Sequence, residues 1–275
     1  MKKFKVGLQL YSIRKAMSED MDKALKAVKD AGYDYVEFAG YFGKTAKEVK
    51  ELLEKYELEA VSVHQGADLF FEEGQSAIDF LKEIGVKYSA IPWYKVDEYL
   101  TNWDNTIEKF TKLGKMLKDN GIKLLYHNHD FEFTVKNGEI ILDKLYETIP
   151  EDLISPEFDT CWIHYAKHSP ADYLNKYSGR IDVVHLKDFE CDSLGGAPVY
   201  GLIGADGTEA PKSKAENGFK FKPLGEGRQD FEAILSACEK GGTEYVIVEQ
   251  DDSYDEDPLE CARRSRAYLK EKFGL

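Results

Sequence analysis

Eight short runs rich in β-branched and aromatic residues recur along the chain, each followed by a longer stretch with apolar residues at helical spacing. This alternation constrains the fold more than any other feature, because it is the signature of repeated βα units on a parallel sheet. The runs are Val6 to Tyr11, Tyr35 to Ala39, Ala60 to His64, Tyr88 to Pro92, Lys123 to His127, Ser155 to Asp159, Ile181 to Lys187 and Tyr245 to Glu249. Between them, sets such as Ala24, Leu25, Ala27, Val28 and Ala31, or Ile107, Phe110, Leu113 and Leu117, lay one apolar stripe along a helix. Gly32, Gly85, Gly121 and Gly241 stand where a left-handed helix cap is wanted before the next strand. Eight such units predict an α/β fold, a (β/α)8 TIM barrel with residues 1–275 as a single domain, and 275 residues is close to the ~250 usual for a barrel. A doubly wound open sheet is the alternative. It would want a glycine-rich phosphate turn after the first strand, and Gln9-Leu10-Tyr11-Ser12-Ile13-Arg14 offers none.

One segment breaks the rhythm. From Phe189 to Lys222 glycines, Pro198, Pro211 and mixed Lys and Glu replace periodicity, which predicts a long insertion after strand seven, over the mouth of the barrel. With 51 Asp and Glu against 37 Lys and Arg, the formal charge is -14. Such a surface repels nucleic acid and anionic lipid, so neither is expected as a partner. The N-terminal Met-Lys-Lys-Phe-Lys runs into an apolar stretch too short for a signal sequence or a membrane span, and a cytoplasmic protein is expected. Cys161, Cys191, Cys238 and Cys261 are widely spaced and read as free thiols.

Catalytic groups in a barrel sit where the strands end at the top face. Here those ends are polar: Tyr126-His127-Asn128-His129-Asp130-Phe131-Glu132 on strand five, Phe158-Asp159-Thr160 on strand six, His185-Leu186-Lys187-Asp188 on strand seven and Glu249-Gln250-Asp251-Asp252 on strand eight. Asp159, His185 and Glu249, on three successive strands, form a carboxylate and imidazole set suited to a divalent ion. Without a cysteine among them, Mn²⁺, Mg²⁺, Co²⁺ or Zn²⁺ fits better than a structural zinc.

Together with Leu8-Gln9-Leu10-Tyr11-Ser12 and Gly225-Glu226-Gly227, these motifs resemble, in order and spacing and over essentially the full length, the xylose isomerase-like TIM barrels described as sugar phosphate isomerases/epimerases. The resemblance implies a divalent metal, manganese first, held by a Glu, an Asp, a His and a second Glu from strands five to eight. The last three map onto Asp159, His185 and Glu249. The first falls on His127, where many members carry Glu-Asn-His and this chain has His127-Asn128-His129. His127 is the positional candidate for the fourth ligand, and Glu132 is a carboxylate that can replace it.

The resemblance also implies proton chemistry next to a metal-bound carbonyl of a small sugar or sugar phosphate, with isomerisation or epimerisation first and dehydration of a keto-inositol or 3-keto-sugar second. Because the strand-five Glu has become His127, a two-glutamate shuttle is not secured. Glu249, His129, Glu132 and Lys187 are the catalytic candidates. Tyr11, His64, Trp93 and Trp162, with Glu37, are the candidates to shape the sugar pocket. The sequence Gly225-Glu226-Gly227 stands where a barrel can bind phosphate, but a central glutamate does not make a phosphate cradle. His164 and His168 read as loop residues. A sugar-binding barrel without catalysis is the non-enzymatic alternative, and an apurinic endonuclease on the same fold is disfavoured by the net charge. Tyr41, Phe42, Phe70 and Phe71 are the aromatics expected at a possible homodimer contact.

Overall fold

The computed structural model describes residues 4–94, 102–195 and 217–275. Eight parallel strands close into a barrel: β1 (Lys5–Gln9), β2 (Tyr35–Phe38), β3 (Glu59–His64), β4 (Tyr88–Ile91), β5 (Lys123–His127), β6 (Ser155–Asp159), β7 (Val183–Leu186) and β8 (Tyr245–Val248). Each pairs with its neighbours in sequence, and β8 closes on β1 with Lys5 opposite Tyr245 through to Leu8 opposite Val248. These bounds agree with the predicted runs to within two residues. Trimming of the C-terminal ends is the main difference, because the last residues of each run have already turned into the loops that build the top face.

Helices cover the outside of the barrel, among them Met21–Asp30, Ala46–Tyr56, Trp103–Lys118 and Pro258–Phe273. In the first, the Asp20 side chain accepts from the Lys23 backbone N–H, and Met21, Ala24, Leu25 and Val28 bury one face. Thr45 and Glu48 form a reciprocal capping box at the second. Glycine ends the helices where expected at Gly32, Gly85 and Gly121, whereas after Phe231–Gly241 the left-handed residue is Gly242, with φ +81°, one beyond the predicted Gly241.

Strand alternation divides the core in two. Outward side chains such as Tyr126, Phe158, Val184 and Leu186 pack under the helices. Inward ones, Val61, Tyr88, Ala90, Leu125, Val183, Tyr245 and Ile247, fill the lower barrel. Space there is tight: a Cβ on Gly7 would stand 2.6 Å from Ile247 Cδ1, so only glycine lets β1 pass. This apolar plug forms the floor of a polar upper lumen.

Beyond β7, Asp188–Glu190 pairs antiparallel with Lys220–Lys222. Phe189, Phe219 and Phe221 from this ribbon pack with Cys161, Trp162 and Tyr165 beside the barrel mouth. Residues 196–216, the greater part of the expected insertion, lie outside the described residues. All four cysteines are free. Among the described residues no helix is long and apolar enough to cross a membrane. The expected exposed aromatics need correction: Phe70 is buried in the core and Tyr41 packs on Phe80 with ring centroids 4.1 Å apart, which leaves Phe42 and Phe71 at the surface.

Candidate active site

Because side chains two apart on an extended chain share a face, each of the last four strands, with the residues just beyond it, sends two polar side chains into the lumen, where they gather in a shallow and a deeper group. The pairs are His127 and His129, Glu157 and Asp159, His185 and Lys187, Glu249 and Asp251. Register then sets them side by side, with His127 opposite Glu157 and Asp159 opposite His185. From the other side, β1 and β2 place Gln9 opposite Glu37, and the Gln9 amide donates to Glu37 Oε1 at 2.5 Å. All of these side chains are buried.

The shallow group holds the four residues expected as metal ligands. One donor atom each from His127, Asp159, His185 and Glu249 lies within 4.8 Å of every other. The imidazoles face this group with different nitrogens. His185 uses Nδ1, 2.8 Å from Glu249 Oε2, and His127 uses Nε2, 3.6 Å from Asp159 Oδ2. Glu132 stays outside it. Its Oε1 accepts from the Tyr126 hydroxyl at 2.8 Å and its Oε2 from the His129 backbone N–H at 2.9 Å, so it braces the strand-five loop.

Lys187 reaches into the same group. Its Nζ donates to Asp251 Oδ2 at 3.0 Å and lies 3.0 Å from Glu249 Oε2 and 2.8 Å from Asp159 Oδ2. The approach to Asp159 is an ion pair off the hydrogen-bonding direction. Asp188, the partner suggested by adjacency, points the other way. Its carboxylate accepts four backbone N–H groups, from Phe189, Gly225, Gly227 and Gln229. The Gly225-Glu226-Gly227 loop therefore does make an anion cradle, and the chain's own carboxylate fills it.

A deeper group lies one layer down. His64 Nε2 bridges Glu37 Oε1 at 2.9 Å and Glu157 Oε2 at 2.7 Å, and its ring stacks on His185 at 5.1 Å. His64, expected at the sugar pocket, is thus held between two carboxylates. Trp162 is also fully buried, stacked on Phe219 with its face toward Lys187 Nζ at 5.4 Å, so it backs the lysine and offers no open platform. Tyr11 stays half-buried at the mouth with Arg14 over its ring, Trp93 is half-buried directly after β4, and His164 joins Gln229 at the base of the ribbon. Glu157 was not among the sequence candidates. Its position two residues before Asp159 on one strand is the signal that reveals it.

Burial and pairing set the charge states. Burial alone would raise Glu37 and Glu249, but His64 and His185 pull Glu37 well below the usual range, and Lys187 and His185 do the same for Glu249. Conversely, burial would lower His64 and His185, yet the surrounding carboxylates hold both protonated, His64 at about 10. Burial keeps His127 and His129 neutral, with the neighbouring cations adding to the effect. Five carboxyl groups thus face three cations. Full ionisation would leave two negative charges uncompensated, and burial relieves this by pushing Glu157 and Asp251 up to about 7. Mixed oxygen and nitrogen donors, converging atoms and surplus negative charge fit a divalent cation.

Residues 25–272 match the family described as xylose isomerase-like TIM barrel. The inosose dehydratase of Clostridium beijerinckii is 28% identical over 281 aligned residues, covering 92% of this chain and 90% of that protein. The inosose dehydratase of Mesomycoplasma hyopneumoniae is 26% identical over 271, covering 90% and 87%. Among solved structures, a sugar phosphate isomerase/epimerase from Parabacteroides distasonis superposes with a TM-score of 0.76 at 22% identity, covering 98% of this chain and 94% of that one. The IOLI protein with a zinc atom bound gives 0.70 at 15% identity, covering 97% of each chain.

Proposed function

This chain belongs to the xylose isomerase-like TIM barrel family, and on that premise we propose that it is a divalent-metal-dependent lyase that eliminates water from a keto-inositol or 3-keto-sugar. The observation that carries this reading is the pair of buried imidazoles at the end of β5, His127 and His129, where a proton-shuttling carboxylate would stand; burial favours their neutral form. Epimerisation returns a proton to the opposite face of the same carbon and asks for two similar acid–base groups. Elimination takes a proton from one carbon and delivers one to a leaving oxygen on the next, which asks for a base and an acid of different kinds. The names of the relatives favour the same choice over the isomerisation that the sequence alone puts first.

His127, Asp159, His185 and Glu249 are the residues that would hold the ion. When bound, a divalent cation supplies a Lewis acid that polarises the substrate carbonyl and stabilises the negative charge that follows loss of the adjacent proton. Manganese is our choice, testable against magnesium, cobalt and zinc. The His129 imidazole, braced through its backbone by Glu132, takes the proton from the carbon beside the carbonyl. As the double bond forms, the carbon–oxygen bond at the next carbon breaks, and the leaving hydroxyl collects a proton from the Asp251 carboxyl, which burial keeps partly protonated near neutrality. Lys187 holds Asp251 in place and balances the charge it acquires. Tyr11 and Trp93 border the opening, and the filled Asp188 cradle favours an unphosphorylated ring.

The test is to incubate the manganese-loaded enzyme with a keto-inositol and a 3-keto-glucoside in deuterated water. Loss of water with appearance of an ultraviolet-absorbing unsaturated ketone is expected. Recovered keto-sugar carrying solvent deuterium at an inverted carbon, without dehydrated product, would establish an epimerase instead.

A further inference from the structure

The two imidazoles that face the shallow group each use their second nitrogen on the deep group. His185 Nε2 lies 2.8 Å from Glu37 Oε1, and His127 Nδ1 lies 3.2 Å from Glu157 Oε2. The two carboxylate oxygens are themselves fixed. Glu37 Oε1 also takes the Gln9 amide N–H, and His64 Nε2 joins it to Glu157 Oε2. A neutral imidazole has one lone pair and one N–H, and a carboxylate beside one nitrogen keeps the N–H there. Glu249 Oε2 also lies 2.8 Å from His185 Nδ1, but Glu249 is itself a donor of the shallow group, so with an ion in that group Nδ1 faces the ion and the N–H stays on the Glu37 side.

We propose that Glu37 and Glu157, clamped together by His64, are positioning residues that fix the tautomers of the two metal-facing histidines, leaving His185 Nδ1 and His127 Nε2 as the lone pairs turned to the ion. The inference rests on the reading that His127 and His185 ligate a divalent cation. It also decides between two occupancies. His64, His127, Glu157 and His185 bring donor atoms within 4.8 Å of one another, and Glu37 Oε2 and Glu157 Oε1 are buried with no hydrogen-bond partner among the described residues. This deep group therefore looks like a second metal site. Filling both groups at once would require His127 and His185 to give up both ring protons and bridge as imidazolates. Neutral imidazoles with carboxylate acceptors below need no such step, so one ion per chain is expected, in the shallow group.

The experiment is zinc titration of the wild type, Glu37→Gln and Glu157→Gln, with competition for a chromophoric chelator as the affinity readout. Long-range proton–nitrogen NMR on ¹⁵N-histidine-labelled, zinc-loaded wild type reads the tautomers. The expected result is one equivalent of zinc, His185 protonated at Nε2 and His127 at Nδ1, and binding weakened by about 10- to 100-fold in each variant. The NMR arm needs no variant and stands even where a substitution prevents folding. Two equivalents of zinc, the opposite tautomers, or unchanged affinity in both folded variants would overturn the inference while leaving the metal reading intact. A wild type that takes up no divalent ion would remove the metal reading itself, and this inference with it.

Discussion

Lys187 Nζ stands 2.8 Å from Asp159 Oδ2, inside the converging group of donor atoms proposed to hold a metal ion. Burial would lower the lysine, but Asp159, Asp251 and Glu249 outweigh it and keep it charged. An internal ammonium thus neutralises part of the negative charge that would otherwise attract a metal ion. Lys187→Met keeps much of the volume and removes the charge. Stripped of metal, the variant should lose about 3–5 kcal/mol of stability, the usual cost of leaving one side of a buried ion pair uncompensated. Manganese should restore much of that loss and bind more tightly than to wild type, while turnover stays abolished. Thermal melts with manganese and with chelator check this. Equal melting of variant and wild type in chelator would show that the ammonium does not neutralise these carboxylates.

Glu132 gives a pH dependence whose sign is fixed by burial. The folded protein holds this carboxyl up at about 8, against 4.5 for the ordinary group. Between those values the unfolded chain releases the proton and the folded chain keeps it, so stability falls as pH rises, by about 1.4 kcal/mol per pH unit from this group. Below the window the group imposes no cost, and above it the cost is complete. Glu132→Gln keeps the shape and removes the titration. Urea midpoints followed from about pH 5 to 8 should therefore converge with, then overtake, those of the wild type. A constant difference between the two proteins across that range would mean that Glu132 is ionised in the fold.

Much of this arrangement was legible in the sequence because a barrel converts linear order into position. Asp159, His185 and Glu249 end successive strands, and strands that pair in register bring their ends to one height. His127 joined them by the same rule, and period two would have added Glu157. The partners of individual side chains were less legible. Lys187 and Asp188 are adjacent, yet neighbours on an extended chain point to opposite faces, so the lysine turns into the lumen and the aspartate out to the loop amides. His64 ends β3, and Trp162 lies just beyond β6 in the short helix Thr160–Tyr165. Their burial comes from residues distant in sequence, Glu157 for the one and Phe219 for the other, which local pattern does not reveal.

The four amides gathered on Asp188 make the insertion's base a single unit. Asp188→Asn would turn two N–H donors onto backbone N–H groups that now share a carboxylate, leaving buried donors unmatched at about 1–3 kcal/mol. Gly227 is under the same constraint, since a Cβ there would collide with the Asp188 carboxylate and come within 2.5 Å of Phe189 O. Both Asp188→Asn and Gly227→Ala should speed proteolytic cleavage between β7 and the helix Phe231–Gly241 and lower turnover, with metal content unchanged. Loss of metal in either variant would mean that this loop supports the ion site directly.

Metal analysis of the purified protein tests the site itself. His185 and Glu249 each contribute one donor to the converging group, and His185 also joins the shallow and deep layers. His185→Ala and Glu249→Ala should therefore both purify without the divalent metal that the wild type retains, although they differ in what they leave behind. Without His185, Glu37 keeps only His64 and Glu249 keeps only Lys187 of the two cations that hold each ionised, and the metal-free protein should melt well below wild type. Without Glu249, Lys187 keeps Asp159 and Asp251, so the melting temperature of the metal-free protein should fall less. Of these three proteins only the wild type should gain stability from added manganese, by about 2.7 kcal/mol at a hundredfold excess over its dissociation constant. If both variants keep the metal, the ion sits elsewhere and the assignment of the shallow group fails.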